Sequence, residues 1–400
     1  MRFRGKDEVA VSSDETGLSC FPNPLQELFL KACLASGAEA REAWKEWLPN
    51  VDLERLDFGS SKLLPLLYKN LRSQDVEHPV MGRLKGAYRA TWYRNQMMLN
   101  EASALAASFR RRGIDVLMLK GAALIHTAYG DVGARAMEDV DLLIPTKRAK
   151  DAFNLLTVEG WKPEPRLPRV MEVPYFAIKH GFNFRHRTGH LIDLHWHALD
   201  ECIGPQADDD FWAASRAMDV QGRPVRTLCA ADHLLHTFAH GIRWNPVAPL
   251  RWVADAFWLV RTEGEKMDWR RLAEQARRRN LVLPVKTGLR YLAESMGAAV
   301  PSPVFDDLDG AAVKPLEHVA FRLQTSEPAA LGPLWRARRQ YARYIRVTAG
   351  QGPLVRIIRF VQFLEVGLLE LFRDHLLPAL KPLRRKSRLN RRSAASEKSS

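Results

Sequence analysis

Residues 116–144 read VLMLKGAALIHTAYGDVGARAMEDVDLLI, and the fold turns on how this stretch divides. The apolar run 116–119 predicts a short strand that ends at Lys120-Gly121. Residues 122–129 then carry a helical pattern, so the order is strand, glycine turn, helix. After the loop, Asp139 and Asp141 alternate with Val140, Leu142 and Ile144. Side chains at i and i+2 of a strand share a face and stand roughly 6.6 Å apart along it. The two carboxylates therefore project together while the apolar residues face a core. A pair placed this way can hold Mg²⁺, a hard ion that takes oxygen ligands and keeps sites for water and phosphate. The plainer alternative is a solvated strand face, since D-x-D also arises from simple alternation.

Three neighbours bear on that choice. Backbone N–H groups at a helix start form an anion site, and Lys120 adds charge beside it. Arg135 lies four residues before Asp139, within reach of a carboxylate or a phosphate, although a plain loop arginine accounts for it equally. Residues 191–197, LIDLHWH, predict a further strand with Asp193, His195 and His197 on one face. A third carboxylate from another strand is what a two-metal phosphoryl-transfer site requires.

Taken in order, LKG, then RAMEDVDLLI, then DLHW resembles the uncharacterised bacterial nucleotidyltransferase-like family of the polymerase-beta-type nucleotidyltransferase superfamily. The resemblance spans roughly residues 25–301 and takes in KLLPLLYKNL at 62–71 and the Tyr93-Arg94-Asn95 segment. It implies an α+β fold, a small mixed sheet flanked by amino-terminal and carboxy-terminal helical regions. It also implies transfer of a nucleoside monophosphate from a nucleoside triphosphate to an acceptor hydroxyl, assisted by two divalent ions, Mg²⁺ or Mn²⁺. Carried over to this chain, Asp139, Asp141 and Asp193 match the metal-binding catalytic carboxylates. Gly121 matches the glycine of the turn, and Arg135 the arginine before the pair. Lys120-Gly121-Ala122 stands where the wider superfamily has a Gly-Ser or Gly-Gly-Ser turn, and seventeen residues separate Gly121 from Asp139, a longer gap than usual. Lys120, Gly121 and Arg135 are thus the expected nucleotide-binding residues, with Lys120 charge in place of a serine hydroxyl.

Under this reading the protein supplies positioning and charge neutralisation. One ion steadies the triphosphate and the other lowers the pKa of the acceptor hydroxyl, with Asp193 on the second ion. Two classes of function stay open: an active transferase, and a catalytically silent member that binds a nucleotide or a partner as a scaffold. Three converging carboxylates repel one another unless metal binds, which favours the enzyme. A third possibility is a transition-metal site on Asp193, His195 and His197, with His126 the nearest additional ligand in sequence. His195 otherwise serves as an outer partner that orients Asp193.

Further along, His233, His236 and His240 fall on one helical stripe. A metal site there competes with polar residues satisfied by hydrogen bonds at a helix interface. Arg251 and Asp255 stand four apart on a very apolar helix, which predicts either an ion pair or a nucleotide-facing role. Trp244 and Trp252 either stack on a base or fill core.

The 400 residues, 46% of them hydrophobic, suffice for two or three cores. The expected organisation is a disordered lead at 1–23, a helical region at 24–112, an α/β domain at 113–227 and a helical domain at 228–350. An amphipathic helix at 351–380 and a basic disordered tail at 381–400 follow. The segment 353–377 is rich in Ile, Leu, Val and Phe but broken by charges, so it falls short of the ~20 apolar residues that span a bilayer. The net charge is +14, and the last twenty residues hold eight Lys or Arg against one Glu. Such a tail either solubilises or makes weak contact with anionic membrane or nucleic acid. Cys20, Cys33, Cys202 and Cys229 show no C-x-x-C spacing, which predicts free thiols in a reducing cytoplasm, with the chain free or peripheral at the inner membrane. There is no P-loop and no G-x-G-x-x-G.

Overall fold

The structure, a computed structural model, describes residues 20–164, 176, 178–326, 341–344 and 352. The expected amphipathic helix and basic tail, and most of the expected lead, lie outside the described residues. Residues up to Pro163 together with Lys179–Gly332 form one compact unit, and Glu164–Ile178 with Pro333–Ser400 belong to a second. The first unit carries the sheet, apart from the last residue of one edge strand, and the helices packed on it.

The sheet is mixed and seven-stranded. The strands are β1 (Leu117–Met118), β2 (Asp139–Leu143), β3 (Lys162–Glu164), β4 (Gly181–Arg185), β5 (Leu191–His195), β6 (Arg216–Val220) and β7 (Arg223–Thr227). Their spatial order is β3-β4-β5-β2-β1-β7-β6. The apolar run at 116–119 thus yields a strand of only two residues, antiparallel to β2 and parallel to β7. Strands β4 and β5 form a hairpin around Thr188-Gly189-His190, closed by His186 N–H donating to the His190 carbonyl at 2.9 Å. Gly189 takes φ +90°, a conformation that favours glycine. A second hairpin, β6–β7, turns at Gln221-Gly222, both at positive φ.

One face of the sheet is dry. Val140 and Leu142 of β2 lie beside Ile192 and Leu194 of β5, all at most 2% exposed. Phe153 of the helix Ala149–Val158 meets Phe182 and Phe184 of β4, with ring centroids 5.7 and 5.0 Å away. The 31-residue helix Met81–Arg111 also lies against the sheet, burying Leu99, Leu105 and Phe109. Helices from both ends of the chain share another core. Leu30, Leu66, Leu234, Val253 and Leu289 belong to one buried cluster with Leu117, Leu119 and Leu143. The amino-terminal part of this layer is set locally: Asn23 caps the helix Pro24–Leu34 through a reciprocal bond with Gln26.

The four cysteines are free thiols, as expected. Among the described residues, no helix is long and apolar enough to cross a membrane.

Candidate active site

Strands β2 and β5 run parallel, with Asp139 opposite Leu191, Asp141 opposite Asp193 and Leu143 opposite His195. Because both strands keep the two-residue side-chain period, Asp139, Asp141, Asp193 and His195 share one face of the sheet. Asp141 and Asp193 are direct cross-strand neighbours. Two like charges in that position repel, so the pairing needs cations.

Two cations of the chain supply them. His195, fully buried, places Nε2 3.0 Å from Asp141 Oδ1 and 3.0 Å from Asp193 Oδ2. Lys120 Nζ pairs with the same Asp141 Oδ1. Burial alone would lower the His195 pKa, but the Asp193 charge and hydrogen bonds to both carboxylates outweigh it and lift the imidazole to about 9. Lys120 likewise rises despite burial, held by Asp141, Asp193 and Asp139. The same balance, burial overcome by Lys120 and His195, keeps Asp141 well below the usual carboxylate range. Asp193 is lowered too, chiefly by His195 against the effect of burial. Asp139 behaves oppositely. It stays exposed at the start of β2, and desolvation with the charge of Asp141 pushes it up to about 6.

Lys120 reaches Asp141 by adopting φ +44° at the first residue of the short helix Lys120–Leu124. A non-glycine residue there carries backbone strain of order 1–3 kcal/mol, sustained by the surrounding contacts. A Cβ on Gly121 would lie 2.1 Å from Arg135 Nη1 and 2.9 Å from Met137 Cγ. The glycine is required by the passing arginine.

Arg135 is engaged elsewhere. Its guanidinium donates to both carboxylate oxygens of Asp255, Nε to Oδ1 and Nη2 to Oδ2, each at 2.7 Å, and both side chains are 8% exposed. Tyr129 O–H donates to Asp255 Oδ1 at 2.8 Å, and Asn95 Nδ2 donates to the carbonyls of Arg135 and Val132 at 2.7 Å. The structure therefore ties the loop before β2 to the helix Arg251–Glu263 through a bidentate buried pair. The i,i+4 pairing of Arg251 with Asp255 is not what forms. Arg251 instead reaches the Ala136 carbonyl at 3.4 Å and Glu138 at 3.7 Å, because Asp255 faces the arginine of the loop.

The histidines separate. His197 lies past the end of β5 and binds Asp208 at 2.7 Å, so it does not join Asp193 and His195. His126 lies in the π-helical turn Ile125–Tyr129 that continues the Lys120 helix and does not join Asp141, Asp193 and His195; burial lowers its pKa. His233 and His236 are buried, and the hydrogen bonds expected for the stripe do not form at either ring nitrogen of His233 or at Nε2 of His236 and His240. Burial pushes all three down, leaving neutral rings. Trp252 fills core, packed edge-on against Phe21 at 5.7 Å. Tyr129, Asn95 and Asp255 form the scaffold around Arg135; spacing had singled out Asp255 but with Arg251, the resemblance had quoted Asn95, and neither gave Tyr129 a role.

Among the described residues, Asp141, Asp193 and His195 form the one group of potential ligands whose donor atoms all lie within 4.8 Å of one another. Two carboxylates and an imidazole suit a divalent ion. With His195 protonated, however, the carboxylates are the donors and the imidazole holds them in place.

A mixed sheet bearing D-x-D on one strand and a third aspartate on its parallel neighbour is an arrangement of nucleotidyltransferase type. The chain belongs to the uncharacterised nucleotidyltransferase family, whose profile matches residues 59–297. No curated protein matches it. Among solved structures it is similar to an antigenic nucleotidyltransferase-like protein from Paracoccidioides brasiliensis, at 18% identity over 52% of this chain and 96% of that one, with a TM-score of 0.35. Others are the lincosamide antibiotic adenylyltransferase LnuA, lincomycin-bound (13% identity, 34% and 83% coverage, TM-score 0.25), and the antibiotic-resistance factor ANT(2'')-Ia (18%, 51% and 97%, TM-score 0.32).

Proposed function

We propose that this protein transfers a nucleoside monophosphate from a nucleoside triphosphate to an acceptor hydroxyl, assisted by divalent ions, Mg²⁺ or Mn²⁺, at Asp139, Asp141 and Asp193. The observation that carries the reading is the register of β2 on β5, which sets Asp141 opposite Asp193 with Asp139 two residues away on the same face. When bound, a divalent ion neutralises phosphate charge and acidifies an attacking hydroxyl; the family resemblance implies two such ions. The chain's own part is placement. His195 bridges Asp141 and Asp193 and fixes both carboxylates before any ion arrives. Asp139, exposed at the start of β2, is the carboxylate most open to an incoming ion or acceptor. Lys120 stands beside the carboxylates, where its charge also faces an incoming phosphate.

Incubation of the protein with each α-labelled triphosphate and Mg²⁺, followed by mass analysis of small products and of the protein itself, tests the proposal. Release of pyrophosphate with a labelled product supports it; binding without turnover favours the silent scaffold. One observation speaks for that second reading: Arg135 is committed to Asp255 and so is withheld from a phosphate.

A further inference from the structure

We infer that the site takes a single divalent ion, and that the Lys120 ammonium occupies the position a second ion would need. The inference rests on reading the site as a nucleotidyl-transfer centre. In a two-ion arrangement the carboxylate shared by both ions must be open to both, and Asp141 is the candidate by its central position between Asp139 and Asp193. Its side chain is 4% exposed, and its Oδ1 already accepts from Lys120 Nζ and from His195 Nε2. Asp139 is the carboxylate most open to an ion from solvent, since it is exposed while the Lys120 and Asp141 side chains are 28% and 4% exposed. To bridge Asp141 to a second ion, the ammonium would have to leave.

The backbone argues that it stays. Lys120 holds φ +44°, which a lysine adopts only against steric resistance, at the head of a helix whose Gly121 is crowded by Arg135 and Met137, and its Nζ pairs with Asp141 of β2. Charge points the same way. Three carboxylates face one lysine and one protonated histidine, and His195 is engaged with Asp141 and Asp193, so a single divalent ion at the outer end already takes the group from −1 to +1. A second would leave excess positive charge around a buried carboxylate, which the surroundings resist. Lys120 is thus a positioning residue that stands in for an ion, in the place where related enzymes of the superfamily have a serine-bearing turn.

The test counts ions with Mn²⁺ alone as the probe. The full-length protein is dialysed against Mn²⁺, bound ions are counted by the loss of the free-ion spin-resonance signal, and those that disappear in Asp141→Asn are assigned to the site. One site-bound ion per chain is expected for the wild type and two for Lys120→Gly, a replacement whose backbone suits φ +44° and so keeps the fold. Two ions in the wild type, or one in Lys120→Gly, would overturn the inference while leaving the transfer reading intact. No site-bound ion in either protein would overturn both. Should Lys120→Gly not fold, the wild-type count alone decides.

Discussion

Replacing Arg135 separates a clamp from a phosphate ligand. The guanidinium and Asp255 exchange two hydrogen bonds of 2.7 Å, each side chain 8% exposed, and Tyr129 adds a third bond to the same carboxylate. Arg135→Met removes the cation and strands a buried carboxylate with one hydroxyl partner. Breaking such a pair from one side costs about 3–5 kcal/mol. Asp255→Leu strands the guanidinium and carries a similar cost. The double replacement leaves no buried charge; only the Tyr129 hydroxyl loses its partner, worth about 1–3 kcal/mol. The two single losses therefore sum to roughly 6–10 kcal/mol while the double costs about 1–3 kcal/mol, a coupling well above the ~0.3–0.5 kcal/mol tolerance for independent sites. Urea denaturation followed by tryptophan fluorescence measures all four proteins. If Arg135→Met unfolds at the wild-type midpoint and instead loses nucleotide affinity, the clamp is refuted and the arginine is a phosphate ligand.

Asp141→Asn should cut divalent-ion-dependent pyrophosphate release by about 10²–10³-fold or more with an unchanged circular dichroism spectrum, by comparison with loss of a single electrostatic stabiliser; near-normal turnover would sink the assignment of this carboxylate. His195 has a folded pKa raised to about 9 from an ordinary 6.5, so its contribution to stability is complete below pH 6.5 and fades as pH rises through 9. Stability measured at pH 6, 7.5 and 9 should fall across this window in the wild type and flatten there in His195→Gln. Gly121→Ala would press a methyl group into Arg135 and Met137 and should cost about 1–3 kcal/mol by thermal unfolding. Removal of residues 353–400 should abolish co-sedimentation with anionic liposomes if that end contacts membrane; equal binding by both proteins removes the idea.

The carboxylate face was legible in the sequence because it follows from a strict two-residue period on two strands, and alternation survives whatever the strands pair with. Lys120 and Gly121 were legible as a turn, but not in their contacts. Nothing in residues 116–144 says that the lysine folds back on Asp141 or that the glycine makes room for Arg135. The fate of Arg135 was hidden for the same reason: its partner is 120 residues away on a helix whose own arginine, four positions from Asp255, offered a local alternative. Local spacing favours an i,i+4 pair, and tertiary packing overrode it. His197 was misplaced because alternation was carried past the point where β5 ends. The β6–β7 hairpin went unread, although Gln221-Gly222 between alternating segments is a signal for it; the expected α/β boundary near Thr227 coincides with its last residue.

The parallel pairing of β2 with β5 also makes activity an all-or-none property of folding. Asp141 and Asp193 are 52 residues apart in the chain, and neither strand alone carries the site. A slip of one residue in either strand would turn its acidic side chains into the apolar layer and its apolar ones onto the opposite face. Partly folded chains therefore cannot possess a weakened form of this centre. The carboxylate face comes into being only with the correct long-range register, so under the proposed function ion binding would report completion of the sheet during refolding.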